Sequence, residues 1–105
     1  MTILTFNIRD MQLQIATRPN GQVLFERVAN VLNSEDGSVV IDFSELNPTP
    51  SFVDQSIGGI VKSFGLELFK SRVKLVNVSD DLRPLLRHVI LTRAAQTSKK
   101  LACLN

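Results

Sequence analysis

A single-domain α/β fold with a mixed sheet is the class this sequence predicts, and three observations predict it. Apolar and polar residues alternate at the start of the chain. A β-branched run, Val39-Val40-Ile41, stands near its middle, and stretches with helical apolar spacing separate the later β-like segments. The 105 residues suffice for one core, and an apolar share of 44% is that of a globular chain.

In the opening segment Leu4, Phe6 and Ile8 point one way, with Thr5 and Asn7 opposite. After Arg9-Asp10, the residues Met11, Leu13 and Ile15 alternate with Gln12 and Gln14, so the pair reads as an antiparallel hairpin. Pro19 holds Arg18 extended and Asn20 is the expected cap of a first helix over 21–33, whose face is Leu24, Val28, Val31 and Leu32, widened by Val23, Phe25 and Ala29. The run SVVIDF reads as a central strand buried on both faces, with Asp42 at the sheet rim or held by backbone N–H groups. Pro48 and Pro50 make the next stretch a loop, from which Ser51 is expected to cap a second helix with Asp54 at N3. Val53, Ile57, Ile60, Val61 and Phe64 form its apolar face and Gly65 its stop. Gly58 and Gly59 inside it cost about 1 kcal/mol each against alanine, which implies close approach of a neighbouring backbone. Residues 72–78 read as a more peripheral strand. Pro84 then selects Asp81 over Ser79 or Asp80 as cap of a last helix with Leu82, Leu85, Leu86, Val89 and Ile90 on one face and Arg83, Arg87 and Arg93 away from it.

The predicted order is therefore β-β-α-β-α-β-α, with right-handed crossovers and helices packed on a mostly parallel sheet. The domain is expected to span residues 1–93, and residues 94–105 form a tail of weak periodicity.

Composition narrows the function. No apolar run approaches the roughly 18–20 residues that span a bilayer, and MTILTFNIRD does not read as a signal peptide, so a cytoplasmic protein without membrane partners is expected. Cys103 is the only cysteine and His88 the only histidine, which leaves neither a disulfide framework nor a metal or triad set. No catalytic residues, metal or cofactor are expected; an Asp42–Asp54 carboxylate pair for acid–base work lacks convergent His or Lys. The net charge of +2 conceals a sum of −4 over residues 1–61 and +6 over 62–105. That split supports one alternative, a nucleic-acid or polyanion module using Arg83, Arg87, Arg93, Lys99 and Lys100, although Phe64 and Phe69 are the only aromatic residues in the basic half.

VVIDFSEL feeding SFVDQSIGGIV and then RVKLVNVSDDLRPLL resembles the STAS superfamily, named for sulfate transporters and anti-sigma factor antagonists. More closely, TRPNG, VVIDF and SFVD resemble the STAS-like domains of unknown function, over roughly residues 3–92. The resemblance implies a bacterial, non-catalytic signalling module that docks a protein partner, a histidine-kinase-like ATPase being the class implied. In anti-sigma antagonists the corresponding helix begins Asp-Ser-Ser-Gly, with the first serine phosphorylated by the partner. Here Asp54 matches the aspartate, Gln55 replaces that serine, Ser56 matches the second, and Ile57 intervenes before Gly58. The partner surface implied is Asn47, Thr49, Ser51, Asp54, Gln55 and Ser56, with Ser56 the phosphorylation candidate. Arg18 joins them, to meet an acidic partner group or to pair with Asp42 or Asp54. A homodimer is compatible with all of this.

Overall fold

The structure is a computed structural model that describes residues 3–11, 17–34 and 37–103, side chains at 34 and from 97 onward excepted. Its elements run β1 (Ile3–Asn7), α1 (Arg18–Ser34), β2 (Ser38–Asp42), α2 (Pro50–Val53), a π-helical turn (Asp54–Gly58), α3 (Gly59–Phe64), α4 (Leu66–Arg72), β3 (Val73–Val76) and α5 (Arg83–Cys103). Among the described residues the sheet is three-stranded in the order β1-β2-β3, and both pairings are parallel. The second arm of the expected hairpin falls on residues 12–16, outside the described residues.

β2 is central, as its apolar run implies, but it is buried on one face only. Val39, Ile41 and Phe43 are fully buried, whereas Val40 is half-buried. The register carries Phe6 and Ile8 of the first strand segment, and Val73 and Leu75 of β3, onto the same face, where they join one hydrophobic core with the helices. Ile3, Thr5 and Lys74 on the opposite face are exposed. Pairing along both edges is what makes β2 central, and a β-branched run does not reveal whether the second face is covered.

The helical faces follow the spacing in the sequence. Leu24, Val28 and Leu32 of α1, Val53, Ile57, Ile60 and Val61 of the second helical segment, and Leu82, Leu86 and Val89 near or in α5 are all buried. The helix starts do not fall where expected. Thr17 Oγ1, not Asn20, caps α1 by accepting from the Asn20 N–H at 3.3 Å, so that Arg18 and Pro19 belong to the first turn. Thr49 Oγ1, not Ser51, caps α2 by accepting from the Phe52 N–H at 3.3 Å, with Pro50 at N1. Ser79 Oγ, not Asp81, accepts from the Leu82 N–H at 3.2 Å where the chain turns into α5. Pro19 and Pro50 lie within the first turn after their caps, where a missing N–H deprives no carbonyl of a partner, whereas Pro84 stands five residues past Ser79, at the second position of α5.

α4 has no counterpart in the expected order; it is too short for its periodicity to register, and it buries Phe69 against the core. Gly65, at φ +88°, ends α3 and opens α4 in a conformation that suits glycine. α5 runs on to Cys103, through the stretch expected to be a tail.

The glycine pair is explained by close approach, though to side chains rather than backbone. A Cβ at Gly59 would lie 3.0 Å from the Phe25 ring, and one at Gly58 would lie 3.1 Å from both Asp54 Oδ1 and Val89 Cγ1. The backbone approach occurs instead at Gly21, where a Cβ would stand 2.7 Å from the Phe52 carbonyl oxygen. No helix is long and apolar enough to cross a membrane among the described residues.

Candidate functional site

The carboxyl ends of the three strands meet at Asp42. Its carboxylate accepts the Ser44 N–H at 2.8 Å, the Asn77 side-chain amide at 3.0 Å and the Asn7 side-chain amide at 3.3 Å. Asn7 ends β1 and Asn77 follows β3, so one side chain ties all three strand ends together. Of the two places expected for Asp42, the sheet rim or the reach of backbone donors, it occupies both: it ends β2 and accepts the Ser44 N–H. Its pKa lies below the ordinary 3.8, chiefly because the Asn77 amide and then the Ser44 N–H favour the charged form.

This tie supports a loop of unusual backbone. Ser44 and Glu45 have φ of 51° and 58°, and Asn77 has φ 52°. Such left-handed conformations disfavour non-glycine residues. Hydrogen bonds offset them: Glu45 N–H to the Asn77 carbonyl at 2.8 Å, Leu46 N–H to the Phe43 carbonyl at 2.8 Å, and Ser44 Oγ to Asn7 Oδ1 at 3.1 Å. Further along, Ser79 Oγ donates to Asn47 Oδ1 and links the loop to the turn before α5. Replacing Asp42 by alanine is expected to lower stability by about 1–2 kcal/mol at neutral pH. The folded-state pKa is depressed, so this contribution is present above the unfolded value and is lost as pH falls from about 3.8 through the folded value. Urea titrations at neutral and acid pH check this: wild type and Asp42→Ala converge at low pH.

A second node lies at the widened turn. Asp54 accepts from Arg18 Nη1 at 3.0 Å and from Arg93 Nη2 at 2.8 Å and Nε at 3.1 Å. Burial opposes its ionisation, but the hydrogen bonds and charges of Arg93 and then Arg18 outweigh burial, and its pKa is lowered from 3.8. Arg93 is mostly covered, whereas Arg18 is half in solvent. Beside them Gln55 Nε2 donates to Gln22 Oε1.

The expected partner residues thus divide. Arg18, Asp54 and Gln55 lie together on the patch shared by α1, the π turn and α5. Asn47 is exposed, and Thr49 and Ser51 are half-buried along the loop and the first turn of α2. Ser56 does not share the surface. It is fully buried, and its hydroxyl donates to the Phe52 carbonyl at 2.7 Å, which closes it to a kinase in this conformation. The expectation that Ser56 belongs to an exposed partner surface is corrected accordingly: the turn leaves Gln55 half-buried and directs the next side chain inward. Arg18 pairs with Asp54, and Asp42 and Asp54 have separate partners, so no shared carboxylate pair forms.

Arg93 is the residue that sequence reasoning misplaced. Expected on the solvent side of the last helix, it reaches across 39 positions to Asp54, and the alternative polyanion surface loses it to that ion pair. Of the other basic positions, Arg83 pairs with Asp80 at 3.5 Å in solvent and Arg87 is exposed, while the side chains of Lys99, Lys100 and Cys103 lie outside the described residues. His88 is exposed. Among the described residues no group of His, Cys, Asp and Glu is arranged to hold a metal ion.

A parallel sheet with its polar loop and second helical segment at the strand ends defines a small α/β domain. The chain belongs to the family described as STAS-like domain of unknown function (DUF4325), whose model matches residues 20–83. That span holds β2, the 43–49 loop, the π turn and β3; Arg18 and Arg93, which grip Asp54, lie outside it. No curated protein and no solved structure matches the chain.

Proposed function

We propose that this chain is a non-catalytic docking domain that binds a signalling protein through the 47–59 segment and Arg18. The observation that carries the reading is the contrast between the loop's exposure and its constraint. Asn47 and Pro50 stand in solvent, on a segment anchored at one end to Asp42 and at the other to the Thr49 cap. A surface ordered before its partner arrives loses little conformational entropy on binding. Arg18 adds a partly exposed guanidinium beside it, suited to a carboxylate on the partner. Membership in a STAS-like family supports the same reading, and a histidine-kinase-like ATPase is the partner class it suggests.

The test is calorimetric titration of this chain with histidine-kinase-like ATPases from its own genome. Saturable binding is expected with one of them, weakened about tenfold or more by Pro50→Lys or Arg18→Glu while thermal melting stays near wild type. Absence of binding to all of them, or affinity indifferent to both changes, overturns the proposal.

A further inference from the structure

We propose a second docking site, independent of the first: the open edge of β3 and the groove between β3 and α5 accept an extended acidic segment of a partner protein, added as a strand. The groove encloses about 480 Å³. Its floor is Leu75, Val78, Leu86 and Ile90, and its rim carries the guanidiniums of Arg83 and Arg87. Leu91, also on the rim, is 53% exposed, one of only a few large apolar side chains so placed among the described residues.

The backbone beside this groove is open as well. Among the described residues the sheet ends at β3. The Val76 carbonyl faces inward, accepting the Phe43 N–H at 3.1 Å. Alternation along the strand therefore turns the N–H and C=O of Leu75 outward, to the side away from β2. Leu75 thus offers a side chain to the groove floor and backbone groups to an incoming strand. Strand addition uses this combination: main-chain hydrogen bonds supply affinity, and a pocket for alternate side chains supplies selectivity.

Charge selects the occupant. Among the described residues Arg83 pairs with Asp80, at 3.5 Å with both side chains largely in solvent, an ion pair that exchanges readily for an incoming carboxylate. Lys74 on the edge strand and Arg87 on the rim are exposed cations. A second copy of this chain, pairing β3 with β3, would bring its own Arg83 and Arg87 against these and repel them. In a segment alternating aliphatic and acidic residues the aliphatic side chains take the floor and the carboxylates turn to the opposite face, beside Lys74, while the guanidiniums of Arg83 and Arg87, within about a Debye length, attract the segment's negative charge.

The test uses a fluorescently labelled synthetic peptide in which isoleucine and valine alternate with glutamate, titrated against the full chain, with amide chemical shifts recorded in parallel. Binding is expected to be saturable and weaker at high salt, with shifts centred on residues 73–78 and 83–91. Arg83→Glu with Arg87→Glu is expected to reduce affinity about tenfold or more, and a peptide with lysine in place of glutamate is expected not to bind. No binding, binding unaffected by the double change, or shifts confined to the 47–59 segment overturns the proposal. Self-association of the unliganded chain through β3, seen by sedimentation, also overturns it. Because the peptide arm does not involve Pro50 or Arg18, its failure leaves the first docking surface standing.

Discussion

Phe52→Ala is expected to remove about 3–5 kcal/mol of unfolding free energy, the range for deleting a buried aromatic side chain. Phe52 is fully buried, and its backbone is used three times over. Its N–H fills the Thr49 cap, its carbonyl accepts the Ser56 hydroxyl, and the same carbonyl stands where only a glycine at position 21 leaves room. The side chain thus fixes the depth at which the second helical segment lies against α1. A domain of this size has about 5–15 kcal/mol in total, so the variant stands close to unfolding at room temperature. Ser51→Ala, one position away and half-buried, is expected to change stability by no more than about 0.5 kcal/mol. With no tryptophan or tyrosine in the chain, urea unfolding followed by far-ultraviolet circular dichroism is the suitable measurement. Equal midpoints for the two variants would contradict the packing described.

Asp54→Ala is expected to cost about 2–3 kcal/mol, below the value for a fully buried ion pair because Asp54 and Arg93 retain 28% and 23% side-chain exposure. The loss strands the Arg93 guanidinium beside α3 without the carboxylate that receives two of its N–H groups. Arg18→Ala, removing a half-exposed partner, is expected to cost well under about 1 kcal/mol. A double-mutant cycle separates the two: coupling of Asp54 to Arg93 should exceed coupling to Arg18. Since Asp54 titrates below its ordinary 3.8 in the folded state, its contribution is full above the unfolded value and fades as pH drops through the folded one. Coupling to Arg18 that matches or exceeds coupling to Arg93 would refute the geometry of this node.

Much of this architecture was legible in the sequence because burial writes a period into it. The strands around Phe6, Ile41 and Leu75, and the apolar faces of α1, the second helical segment and α5, all follow spacings of two or of three and four. The chemistry at the ends of elements was less legible. A hydroxyl caps a helix when its own backbone is extended and the next turn curls toward it, and TRPN, NPTPS and VSDD each hold several hydroxyl, carboxylate or amide groups competing for that place. Prolines located each boundary to within a turn, yet Thr17, Thr49 and Ser79 prevailed over Asn20, Ser51 and Asp81. Long-range pairs leave no local pattern: nothing near Arg93 announces Asp54. The glycines at 58 and 59 did signal crowding, and the resemblance at SFVD located the strand-end segment, but only coordinates assign Gln55 to the surface and Ser56 to the interior.

The π turn has a consequence for how this helix start compares with the Asp-Ser-Ser-Gly start that its sequence resembles. Between aspartate and glycine that motif holds a pair of residues, whereas Asp54-Gln55-Ser56-Ile57-Gly58 holds one more. In an unbroken α-helix an added residue advances every later side chain by about 100°, which would swing Ile60 and Val61 off the core. Widening a single turn takes up the surplus locally, so the apolar stripe downstream keeps its phase against the sheet. The polar cluster and the hydrophobic interior are thereby put out of step with each other, leaving the first open to variation at little consequence for the second.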